Sequence, residues 1–229
     1  MEVKENYYGE PPIDLGEYKI PVTESMFYLY LPIKMRESVD VRIPERLKQF
    51  THLINRVEEA CSAFNRAEDY QRNWRDRYVY LTVKHMLVNP GFWGNRGGAH
   101  CDGFGTDDMN WIWYDKNPTE FNVKEFQDIT SDERLSLKQF EGQWDHKSIV
   151  TFPPFHLLEL NPFVVHRVAA VTRYDMRTFV KISTSKHQFN LIGNSHNYLF
   201  DYNWKMFDRQ EVRNMTTYGN SDYVPADVA

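Results

Sequence analysis

The apolar positions of this chain change period near residue 77. Ahead of that point, from Pro44 onward, Leu47, Phe50, Ile54, Val57, Cys61 and Phe64 recur at alternating steps of three and four. That spacing draws one apolar stripe down a helix, and Pro44 suits its first turn. Arg46, Asn55, Glu59 and Ser62 fall on the other side, so the helix is expected to lie against the outside of a sheet. Before the helix, "MFYLYLPIKM" (26–35) is aromatic and branched and reads as a strand stopped near Pro32.

Beyond residue 77 short β-like runs alternate with turn residues. The runs are "YVYLTVKHMLV" (78–88), "MNWIWY" (109–114), "SIVTF" (148–152), "FHLLEL" (155–160), "FVVHRVAAV" (163–171) and "TFVKIS" (178–183). "NPGFWGNRGG", "DKNPTEFN" and "TRYDM" read as the longer connections. "TSDERLSLKQF" (130–140) interrupts the series as a short helix capped by Thr130, with Glu133 three residues on. A helix followed by a run of strands predicts a mainly β (α+β) protein built on a sandwich or barrel. At 229 residues one domain is expected: a strand and supporting helix over 20–77, a β core over 78–184, and a C-terminal extension over 185–229 whose tail from about 214 looks weakly ordered.

Charge narrows the partners. The net charge is −5 and no basic stripe dominates, which disfavours nucleic acid and leaves a small molecule or a protein side chain as the expected substrate. Arg72, Arg75 and Arg77 are interleaved with Asp76 and aromatics and read as a solvated face. With two cysteines only, Cys61 and Cys101, there is no disulfide framework and no cysteine-based zinc ribbon, so a reducing, cytoplasmic setting is expected. The first twenty residues lack a basic start leading into an apolar run, and no stretch of about eighteen apolar residues occurs, so neither export nor membrane insertion is expected. Oligomeric state is not legible.

The candidate chemistry lies in "NRGGAHCDGFGTDD" (95–108). In extended backbone, residues two apart point the same way, so His100 and Asp102 present an imidazole and a carboxylate together while Cys101 points away. His166, mid-run in "FVVHRVAAV", is the best-placed third ligand, although a histidine on an apolar face is also a common hydrogen-bonded core residue. Two histidines and a carboxylate on one face suit non-haem Fe(II) with open positions; zinc more often takes four ligands. Arg177, eleven residues beyond His166, could hold a carboxylate in a bidentate pair.

The pattern H-x-D (His100, Asp102), a histidine sixty-odd residues later (His166) and an arginine about ten further on (Arg177) resembles the Fe(II)/2-oxoglutarate-dependent dioxygenases. "NPGFWGNRGGAHCDG" and "LNPFVVHRVAAVTRYDMR" carry the likeness, which spans roughly residues 78–184. It implies a double-stranded β-helix, or jelly roll, supported by the N-terminal helix. It further implies Fe(II) as cofactor, 2-oxoglutarate and O2 as co-substrates, and hydroxylation with release of succinate and CO2. Arg177 would anchor the far carboxylate of 2-oxoglutarate, with Tyr80, Asn110 and Thr119 as candidates for a second hold. Trp93, Arg96, Trp111 and Trp113 could line a substrate pocket, the last two being equally suited to the core. Gly97, Gly98, Gly103 and Gly105 would let backbone and ligands approach closely, or simply form a hairpin loop. A cupin-like metalloenzyme that does not use 2-oxoglutarate, and a non-catalytic jelly-roll binding module, are the alternatives.

Overall fold

The computed structural model describes residues 7–63 and 74–209; Phe64, Arg72 and the tail from 214 lie outside them. Among the described residues there are nine strands: β1 (Ile13–Glu17), β2 (Met26–Lys34), β3 (Tyr78–Val88), β4 (Met109–Tyr114), β5 (Thr119–Asn122), β6 (Ile149–Val150), β7 (His156–Leu160), β8 (His166–Val168) and β9 (Asp175–Ser185). The helices are α1 (Thr51–Ala63), preceded by a 3-10 turn over Glu45–Phe50, and α2 (Glu133–Gly142). The protein is thus mainly β with few helices. Among the described residues no helix is long and apolar enough to cross a membrane.

The described residues gather into two compact units, 7–26 with 84–180, and 27–63 and 74–83 with 181–209. The units interleave along the chain. In the first unit β7 pairs antiparallel with both β1 and β4, and β9 and β3 follow β4 in the sheet order. A second, three-stranded sheet places β5 between β6 and β8, antiparallel to each. Ile112 and Tyr114 of β4, Leu158 and Leu160 of β7 and Phe179 of β9 share one apolar cluster with Phe121 of β5 and Val164. The two sheets therefore meet across a common core, as in a β-sandwich.

In the second unit β2 follows β3 at the end of the strand order. Pro32 does not stop β2 but lies inside it, as an outermost strand tolerates. That strand is covered by later chain: Ser195 N donates to Leu29 O at 2.7 Å, and Asn197 Nδ2 donates to Pro32 O at 2.8 Å and to Arg42 O at 2.9 Å. The α1 stripe, Ile54, Val57 and Cys61, is buried as its spacing predicts, with Leu47 and Phe50 of the 3-10 turn, and Leu53 is buried beside it. The reading of the nearby arginines as solvated is corrected for Arg77, which is wholly buried.

Lys34, also wholly buried, donates from Nζ to three carbonyls, Arg77 O at 2.7 Å, Met35 O at 3.0 Å and Arg75 O at 3.2 Å. An ammonium has three N–H groups, so its hydrogen-bonding capacity is filled.

Two further expectations change. Helix α2 is capped by Asp132, whose Oδ1 accepts from Arg134 N and Leu135 N, and Thr130 instead accepts from Asp132 N. The "DKNPTEFN" connection contains β5, the central strand of the small sheet.

Candidate active site

All three proposed ligands lie in the first unit. His100 and His166 face each other through a single antiparallel bridge, in which His100 N donates to His166 O at 3.0 Å and His166 N to His100 O at 2.9 Å. Their rings stand 4.6 Å apart between centroids. Asp102 follows at the start of a turn, with Oδ2 3.6 Å from His166 Nε2, too long for a hydrogen bond. One donor atom from each of the three lies within 4.8 Å of the others, and this is the one such cluster among the described residues. Cys101 points away, buried beside Ala99, Phe126, Phe140 and Val165.

Both imidazoles are oriented by their own backbone. The Nδ1 of His100 is 2.9 Å from Gly98 O, and that of His166 is 3.0 Å from Val164 O. Each carbonyl can only accept, so Nδ1 carries a proton, and in the neutral ring the lone pair then lies on Nε2, the tautomer a metal requires. Burial, and after it the facing His166, hold His100 down to about 4, so the ring is neutral near pH 7.

Gly98 offers its carbonyl from a left-handed conformation, φ +85°, and Gly103 after Asp102 has φ +75° with no room for a Cβ, which would lie 2.9 Å from Asp108 O. These two glycines shape the ligand loop. Gly97 lies against the Trp93 ring, and Gly105 is open turn.

Arg177 lies at the start of β9 and is buried. Its Nε donates to Lys116 O at 3.0 Å and Asn117 O at 3.1 Å, and its guanidinium stands 5.2 Å from the Phe179 ring. Nη2 is buried and has no hydrogen-bond partner. Burial lowers the group to about 10, with Asp115 pulling the other way, so it remains cationic at neutral pH. A buried cation with an idle donor is costly alone and suits an anion that supplies the missing acceptor. Arg173, the other arginine near this turn, is exposed.

The remaining candidates separate. In the β5–β8 register Thr119 opposes Val168 and Phe121 opposes His166, so Thr119 shares a face with the distal histidine. Asn110 is buried on the face of β4 that carries Ile112 and Tyr114 into the common core. Tyr80 belongs to the second unit, where its hydroxyl donates to His187 O at 2.7 Å and accepts from Phe189 N at 3.0 Å.

Trp111 and Trp113 take up the opposite face of β4 and are wholly buried, their indole N–H groups bound to Glu159 Oε2 and to Tyr18 O and Phe155 O. The core use of these two replaces the pocket-lining one. Trp93 is half-buried, and Arg96 is exposed with its charge within reach of His100.

Sequence reasoning passed over Tyr114, which senses the Arg177 charge and whose hydroxyl donates to Phe152 O at 3.0 Å. It also passed over Glu141, which accepts the Ala99 N–H beside the first ligand at 2.8 Å.

A scan against protein-family models gives no match, and a search of curated proteins gives none. Among solved structures the chain is similar to EvdO2 from Micromonospora carbonacea var. aurantiaca, with 15% identity, a TM-score of 0.35, and 62% of this chain and 66% of that one covered.

Proposed function

We propose that this protein is an Fe(II)- and 2-oxoglutarate-dependent oxygenase of double-stranded β-helix fold, acting on a small molecule or a protein side chain. The observation that carries the reading is a pairing. A two-histidine, one-carboxylate face lies in the same unit as a buried guanidinium whose Nη2 lacks an acceptor. The donor set fits Fe(II), since imidazole nitrogen and carboxylate oxygen suit it and three ligands leave positions open. The idle Nη2 fits the far carboxylate of 2-oxoglutarate, whereas a cupin-like metalloenzyme or a non-catalytic binding module would not need Arg177.

His100, Asp102 and His166 would hold the metal, and Arg177 would fix the co-substrate by charge-assisted hydrogen bonds. Thr119 and Asn110, on core-facing positions, are the candidates for its second hold. With iron, 2-oxoglutarate and O2 bound, the site would supply oxidation of a substrate C–H bond with release of succinate and CO2. The chain's own part is to hold each Nδ1 on a backbone carbonyl so that Nε2 is the nitrogen left for a metal, to keep Cys101 away from the metal, and to place a fixed cation in a dry interior where its attraction is little screened.

Anaerobic titration with Fe(II) and then 2-oxoglutarate tests this, read by the weak visible charge-transfer band of the chelate. One equivalent of iron should bind, the band should grow on adding 2-oxoglutarate, and His166→Ala should abolish stoichiometric iron binding while the protein stays folded. Full iron binding by His166→Ala would dismiss the triad, and iron binding without the band would return the cupin reading.

A further inference from the structure

The two histidines are joined by a bridge one residue pair long, flanked on one side by Gly98 and on the other by the turn that begins at Asp102. Such a bridge gives little resistance to the His100 segment sliding or lifting relative to β8. The end of α2 spans the junction from outside. One carboxylate oxygen of Glu141 accepts Ala99 N at 2.8 Å, and the other faces Arg167 Nη1 at 3.4 Å. Ala99 immediately precedes the first ligand and Arg167 immediately follows the third. Arg167 is fixed in turn: its Nε donates to Glu120 Oε2 at 2.9 Å across the β5–β8 register, and its guanidinium stacks 4.1 Å from the Trp144 ring. Phe140, one residue before Glu141, packs with Ala99, Cys101 and Val165.

We infer that Glu141 is a positioning residue for the metal centre, a carboxylate brace that sets the spacing of His100 and His166 through Ala99 and Arg167. This rests on the metal reading above. Magnitudes separate the role from ordinary stabilisation. The Glu141 side chain is 52% exposed, and an ion pair that open to water adds little to folding stability. Its effect should therefore appear in ligand geometry more than in the stability of the fold, as for other groups that orient metal ligands from behind.

The test uses the full chain, with Co(II) and anaerobic Fe(II) as probes, and compares wild type with Glu141→Ala, Glu141→Gln and Arg167→Ala. Metal affinity is read alongside the visible Co(II) spectrum and the melting temperature of the metal-free protein. Glu141→Ala should weaken both metals by about 10- to 100-fold and alter the Co(II) band, with metal-free melting moved by roughly 4 °C or less. Glu141→Gln, which keeps an acceptor for Ala99 N, should recover most of the affinity, and Arg167→Ala should fall between.

Wild-type affinity and spectrum in Glu141→Ala would overturn the brace, as would an affinity loss that merely tracks a collapse in metal-free melting. Failure of the wild type to bind either metal would instead remove the metal reading, and this inference with it.

Discussion

Lys34 in the second unit and Arg177 in the first are both cations taken out of water, and they are satisfied differently. The Lys34 ammonium spends its three donors on three carbonyls that close the end of β2 against residues 75–77. Arg177 is clamped along one edge by Lys116 O and Asn117 O, while Nη2 waits. Burial alone does not distinguish a structural cation from a binding one. A filled donor set holds the fold together; an idle donor in the interior leaves a polar atom that a water or a ligand can satisfy.

The largest effect should come from removing the idle donor. Arg177→Met should cut 2-oxoglutarate affinity of the iron-loaded protein by roughly thirty- to a thousand-fold, about 2–4 kcal/mol, with iron binding unchanged. Arg177→Lys keeps the charge without the planar fork and should lose less. Unchanged affinity in Arg177→Met would place the anchor elsewhere and erase the contrast with Lys34.

Next is Lys34→Met, which leaves buried carbonyls without a donor and should lower unfolding stability in denaturant by about 1–3 kcal/mol, leaving metal and 2-oxoglutarate affinity untouched. Arg177→Met should cost much less stability, since it also removes a poorly paired buried charge. If the two variants are equally destabilised, the distinction between filled and idle donors fails.

The smallest effect is in pH. Burial lowers Lys34 to about 8 from an ordinary 10.5, against the upward pull of Asp76 and Glu58. Between those values the unfolded chain holds a proton that the folded chain has released, so stability rises with pH through that window, and the burden of the buried charge is fully present below it. The stability difference between wild type and Lys34→Met should therefore widen from neutral pH to about 9.5. A difference independent of pH would mean that Lys34 titrates like a solvated lysine.

What the sequence disclosed follows from what each signal depends on. β3 and β4 are legible end to end because "YVYLTVKHMLV" and "MNWIWY" are long runs of strand-favouring residues between clear turn signals. β5 is hidden because its four residues, TEFN, sit in turn-like composition and become a strand only through β6 and β8 on either side. Pro32 misleads because a proline stops a strand only where its missing N–H is needed.

In the site, His100, Asp102, His166 and Arg177 can be read as spacing along the chain, and the triad does converge. The carbonyls of Gly98 and Val164 that set the ring tautomers could not be read, since backbone atoms carry no sequence label. Glu141 was invisible for another reason: its relation to Ala99 and Arg167 exists only once α2 has packed across both segments.

The covering of β2 has a consequence for how copies of this protein behave together. An outermost strand with open N–H and C=O groups is a template on which another chain can add. Here Ser195 and Asn197 occupy Leu29 O and Pro32 O, so the strand offers a visiting chain few places to pair. A chain shortened to end before Ser195 would lay that edge bare, and its expected failure is self-association into β-rich aggregates, visible as growing light scattering at concentrations where the longer chain stays clear.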